Sequence, residues 1–112
     1  MSLSLFCIDI FSRQPYVLKD FYEQSLELKL EYASADGASF EFGIGSMKLV
    51  ISKSVTEVKN KIRICFCTPE LKPYRVSLIQ RNIEVTPIKV QEGRFFFEMK
   101  DPDGNEVAFY QV

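Results

Sequence analysis

A chain of 112 residues, 46% hydrophobic and 26% charged, is long enough to bury the core of one domain without disulfides or a structural metal. Its net charge of −1, with both signs dispersed, leaves no basic face for nucleic acid, and no segment approaches the ~20 apolar residues of a membrane span. Cys7, Cys65 and Cys67 are an odd set in a chain without a signal-peptide pattern, so no disulfide framework is expected and the expected location is the cytoplasm.

The first run, residues 4–11, is rich in strand formers. Ser12 then offers a helix cap, and Pro15 suits a first helical turn. Val17, Leu18, Phe21, Tyr22 and Leu26 recur at helical spacing, which predicts a helix over roughly 15–26. Strands follow over 28–33, 39–42 and 47–52, separated by the turns Ala35-Asp-Gly-Ala38 and 43–45. Residues 53–60 are polar and mixed in charge, as a linker would be. The order then repeats. Residues 62–67 read as a strand, and Thr68-Pro69 opens a helical stretch whose regular part Pro73 delays. Leu71, Tyr74, Leu78 and Ile79 give that helix an apolar face, and Asn82 stops it in the left-handed conformation. Residues 83–90 read as a strand that Pro87 confines to an edge, and 94–99 as another. Asp101-Pro-Asp-Gly104 is a turn in which Pro sets φ and Gly supplies positive φ, and 107–111 is the last strand.

The expected fold is therefore α+β, a single domain of two consecutive βαβββ units over 1–52 and 61–112. One helix covers one face of each four-stranded sheet, and the uncovered faces can curve around a shared cleft as an incomplete barrel.

Two stretches carry a family resemblance. Asp20-Phe-Tyr-Glu-Gln-Ser-Leu26 is similar to a Phe-Tyr…Leu-Gly helix end, with Glu27 in place of the Gly. Phe97-Glu-Met-Lys-Asp-Pro-Asp-Gly-Asn105, followed by Glu106-Val-Ala-Phe-Tyr110, is similar to an Asp-Pro-Asp-Gly-Asn turn between the last two strands. Together they resemble the vicinal oxygen chelate superfamily of glyoxalases, bleomycin- and fosfomycin-resistance proteins and extradiol dioxygenases. Metal-dependent members hold their ion with His or carboxylate ligands on the first and last strand of each half. Carried over by the family's spacing, those positions fall at Cys7, at Lys48 or Val50, at Arg63 and at Ala108. The chain contains no His. A guanidinium has no lone pair to donate, and one thiol does not make a site for a hard divalent ion. The resemblance therefore implies the fold without its metal: no metal ligands, no cofactor and no assigned catalytic residue.

Strand alternation places Asp9 with Cys7, Cys65 and Cys67 with Arg63, Glu98 with Phe96, and Glu106 and Tyr110 with Ala108. These side chains are expected to face the cleft, so Cys7, Asp9, Lys48, Val50, Arg63, Cys65, Phe96, Glu98, Ala108 and Tyr110 are the candidate ligand-binding residues. Arg63 and Glu98 read equally as ligand-recognition groups and as a mutual ion pair. The cysteines read as inert packing, since a free thiol is commonly a small buried hydrophobe and no His is present to activate Cys7. Asp9 and Glu98 could serve as acid and base. Phe95, Phe96 and Phe97 alternate across one strand, which implies either a two-sided core or an aromatic wall. The adopted reading is a metal-free protein binding a small, partly aromatic or amphipathic molecule, an antibiotic or a metabolite. The alternatives are a lyase or isomerase of the same superfamily and a degenerate interaction module. Open edge strands predict a homodimer.

Overall fold

The computed structural model describes residues 2–112. The chain resolves into two compact units, residues 1–59 and 60–112. Both have βαβββ order, which fixes the α+β class.

In the first unit β1 (Cys7–Ser12) leads into α1 (Pro15–Asp20), a π-helical turn over Phe21–Ser25, and then β2 (Lys29–Ala33), β3 (Ser39–Ile44) and β4 (Met47–Lys53). The strands lie in the order β1-β4-β3-β2, with β1 parallel to β4 and the other pairs antiparallel. Ile10, Leu49, Ile51, Phe40 and Phe42 are buried, as are Leu18, Tyr22 and Leu26 of the helical stretch. Of the apolar residues at helical spacing, Leu18, Tyr22 and Leu26 form the core face, Phe21 is half-buried and Val17 is exposed.

The second unit repeats the plan with β5 (Arg63–Thr68), α2 (Leu71–Gln80), β6 (Lys89–Gln91), β7 (Arg94–Lys100) and β8 (Glu106–Gln111), in the order β5-β8-β7-β6. Here β5 runs parallel to β8. Phe97 is fully buried and stacks on Phe109 at 5.0 Å, and Tyr74 of α2 meets Phe109 at 5.1 Å. Phe96 and Phe97 are buried on opposite faces of β7, whereas Phe95 is half exposed. The aromatic run therefore builds a two-sided strand.

Three local expectations are corrected. Ser12 is the last residue of β1 and is fully buried, and its Oγ accepts the N–H of Gln14 at 3.0 Å instead of capping the helix. Gln14 stands before Pro15 at the helix start and makes no side-chain cap. Helix α2 begins at Leu71, not at Pro73. Proline is tolerated in a first turn because the N–H it lacks has no partner within the helix there, and the Leu71 N–H is taken by Gln111 Oε1 at 3.1 Å. The strand expected over 83–90 shrinks to the three residues of β6. Pro87 has no N–H to give a ladder. Thr86 instead meets Glu98 twice, donating its N–H to the Glu98 carbonyl and accepting the Glu98 N–H on Oγ1, each at 2.9 Å.

The Asp-Pro-Asp-Gly-Asn motif has a structural explanation. Gly104 has φ +84 and donates its N–H to the Asp101 carbonyl at 2.9 Å. The buried Asp101 carboxylate accepts the N–H groups of Asp103 and Asn105 and the Asn105 amide, all at 2.9 Å. Asn105 Oδ1 in turn accepts the N–H of Ile62 at 3.1 Å, tying the entry of β5 to that of β8. Among the described residues no helix is long and apolar enough to cross a membrane.

Candidate functional site

The candidate residues lie on one face of each sheet, and on the second sheet Phe96 and Ala108 are buried on that face. In the first unit Cys7 lies directly across from Lys48, and Asp9 from Val50. Residues opposed in register share a face, so these four are brought together. Cys7 Sγ is 3.9 Å from Asp9 Oδ1, and Lys48 Nζ is 3.3 Å from Glu41 Oε1.

In the second unit Arg63 pairs with Glu106, Cys65 with Ala108 and Cys67 with Tyr110, while Phe96 pairs with Tyr110 and Glu98 with Ala108. The six candidates Arg63, Cys65, Phe96, Glu98, Ala108 and Tyr110 thus share one face. Ala108 is fully buried, whereas Cys65 and Cys67 are exposed. The reading of those two thiols as buried packing is corrected: β5 is an edge strand whose face turns them outward.

Arg63 organises this face. Its Nη1 meets Glu98 Oε2 and, at 2.9 Å, Glu106 Oε2, while Nη2 donates to the Tyr110 hydroxyl at 3.1 Å. Lys89 Nζ holds the other Glu98 oxygen at 3.0 Å. The ion pair that the sequence left open is therefore formed. The Arg63 guanidinium, with Lys89 behind it, holds the Glu98 carboxyl below its ordinary value. Bonds to Glu98, Tyr110 and Glu106 raise the Arg63 value, so it stays charged. Two cations face two carboxylates, and the cluster is neutral. Beside it the rings of Phe96 and Tyr110 stack at 5.1 Å and 21°. Because the Tyr110 oxygen accepts from Arg63, its own proton remains free to donate outward.

A cavity of about 650 Å³ adjoins the cluster, lined by residues 83–87 and 98–100 and by Glu106. The sequence, which suggests a strand over 83–90, gives no sign of it, since the cavity is lined by the irregular segment 83–87 that precedes the short β6. Sequence reasoning missed Lys89 too, although the register of a two-residue turn at Glu92-Gly93 sets Lys89 opposite Phe96 and hence on the face of Glu98.

The positions where the resembled superfamily holds its ion do not fit one. Lys48 and Arg63 are cations already paired with carboxylates, and Ala108 and Val50 have no donor atom. Among the described residues no three His, Cys, Asp or Glu side chains gather as a metal site.

No family model matches the chain, and no curated protein matches it in sequence. Solved structures do. Lactoylglutathione lyase from Agrobacterium tumefaciens superposes with a TM-score of 0.84 at 14% identity, covering 99% of this chain and 95% of that one. TnmS3, an antibiotic-binding protein from Streptomyces sp. CB03234, gives 0.84 at 19% identity, covering 99% and 98%. The oxidase ChaP-H2 gives 0.81 at 13% identity, covering 100% and 95%. With topology, turn motif and neighbours in agreement, this chain has the fold of the vicinal oxygen chelate superfamily.

Proposed function

We propose that the protein binds a small organic molecule on the face of its second sheet, without a resident divalent metal, and so sequesters an antibiotic or a metabolite. The observation that carries this reading is the stacked Phe96–Tyr110 pair beside the neutral Arg63–Glu98–Glu106–Lys89 cluster. Aromatic area combined with a few fixed polar groups is what a ligand site needs; the neighbouring cavity of about 650 Å³ shares Glu98 and Glu106 with the cluster, while Arg63 and the two rings lie outside its lining. Arg63 spends three bonds on the protein and keeps its Nε–H and one Nη2–H. Its charge is already balanced, so the favoured partner is an uncharged carbonyl or phenol rather than a carboxylate. The superposition with an antibiotic-binding protein supports the reading at the level of fold. A lyase or isomerase is less well served. A carboxylate held by Arg63 and Lys89 is a weak base, which suits Glu98 poorly for proton abstraction.

A thermal-shift screen of planar aromatic carbonyl compounds, run in excess chelator, tests the proposal. At least one compound is expected to raise the melting temperature in proportion to its concentration. A null result across a broad screen would favour the interaction-module reading. The same proposal extends to assembly and location. β1 and β2 edge the first sheet and β5 and β6 the second, and unpaired edges invite a two-fold dimer. Light scattering should report twice the chain's 13.0 kDa; the monomer mass at micromolar concentration would refute the dimer. Three unpaired thiols fit a cytoplasmic setting.

A further inference from the structure

Cys65 and Cys67 are free and exposed, and they stand two apart on the extended edge strand β5. Their partners in register, Ala108 and Tyr110, are likewise two apart on β8, so both thiols leave the same face of the sheet. Two residues of extended chain separate their Cα atoms by roughly 6.6 Å. That is near the outer limit for a disulfide, and the two Cβ bonds point alongside each other rather than together. Closing a disulfide would bend β5 off its parallel ladder with β8.

One atom placed between the sulfurs asks for less. Two metal–sulfur bonds of about 2.3 Å set in line span about 4.6 Å. Side-chain rotation closes that distance while the backbone stays in register. The coordination number also follows from the surroundings. Among the described residues no third His, Cys, Asp or Glu joins a group that could hold a metal. Ala108, across from Cys65, offers only a methyl group. Two sulfurs alone do not satisfy tetrahedral zinc or an octahedral hard ion. They suit a soft cation that accepts two thiolates, and thiolate ligands select monovalent copper.

We propose that Cys65 and Cys67 form a two-thiolate site for a soft monovalent cation of the copper(I) class. Two S–H bonds break, two metal–sulfur bonds form, and both protons pass to solvent. No oxidation state changes. The site takes no ligand atom from Arg63 or the Phe96–Tyr110 stack, although Cys67 stands across from Tyr110 on the same face; copper retention is read with no organic compound present, so its failure is distinguishable from a failure of organic-ligand binding.

The test is an anaerobic titration of the full chain with copper(I) against a chromophoric copper(I) chelator. The wild type and Cys7→Ser should each retain one equivalent. Cys65→Ser and Cys67→Ser, both conservative changes at exposed positions, should each weaken retention by about tenfold or more. X-ray absorption of the loaded wild type needs no variant, and should show two sulfur neighbours and no others. Loss of binding in Cys7→Ser, two independent equivalents each lost with its own thiol, no retention against the chelator, or a third ligand atom would each overturn the site.

Discussion

Arg63 touches two carboxylates and a phenol, and that concentration of bonds makes its neighbour Glu98 a pH-dependent element of stability. Glu98 titrates lower in the folded chain than its ordinary value of 4.5. Its contribution is therefore fully present above the unfolded value and is lost as pH falls through the folded one. Urea midpoints of the wild type and Glu98→Gln should differ near neutral pH and converge as pH falls below 4.5 and through the lowered folded value; a constant difference would show that Glu98 does not titrate as paired. Gly104 makes a second test. At φ +84 a β-branched side chain is strained by roughly 1–3 kcal/mol. Gly104→Val should lower the melting temperature well below that of Glu106→Ala, which loses only a largely exposed ion pair worth about 0–1 kcal/mol. Equal melting temperatures would contradict the turn. The Gly104 conformation was legible in the sequence because Pro102 fixes its own φ and Gly104 takes a positive φ without strain. The exposure of Cys65 and Cys67 was not, because alternation says which residues share a face and nothing about what covers that face.

At the scale of elements, the repeated βαβββ order was readable from periodicity and turns, since each period reports a face that must be buried. The segment before β6 was not. Val85 and Ile88 look like strand residues, but Pro87 removes a donor and Thr86 redirects the pairing to Glu98 through its hydroxyl. Thr86→Val keeps the shape and removes that acceptor from the Glu98 N–H, so it should cost about 1–3 kcal/mol. An unchanged urea midpoint would mean that the N–H finds another partner. The hairpin joining β6 and β7 turns at Glu92 and Gly93, with φ of +52 and +75. Two residues with positive φ match the turn that prefers Asn-Gly. Glu92→Asn should stabilise the protein by roughly 0.5–1 kcal/mol, seen as a higher urea midpoint at unchanged slope. A lower midpoint would show that Glu92 serves a contact beyond the turn.

At the scale of the whole molecule, the Asp-Pro-Asp-Gly-Asn turn pointed to the fold, and the lack of His turned the reading of function toward metal-free binding. What the residues alone left open was how the charges on the second sheet are spent. Arg63 reads as a ligand anchor in isolation, and the register of β5, β7 and β8 converts it into the centre of a balanced cluster beside two stacked rings. The central claim is that this face binds an uncharged aromatic molecule without a divalent ion. Calorimetry on chelator-dialysed protein, titrated with the best aromatic carbonyl compound from the screen, tests it most directly. One site per chain should appear, unchanged by added Mn²⁺, Ni²⁺, Zn²⁺ or Fe²⁺, and Arg63→Ala should weaken it by roughly 1–3 kcal/mol. Binding that requires one of those ions, or that is indifferent to the loss of Arg63, would contradict the account.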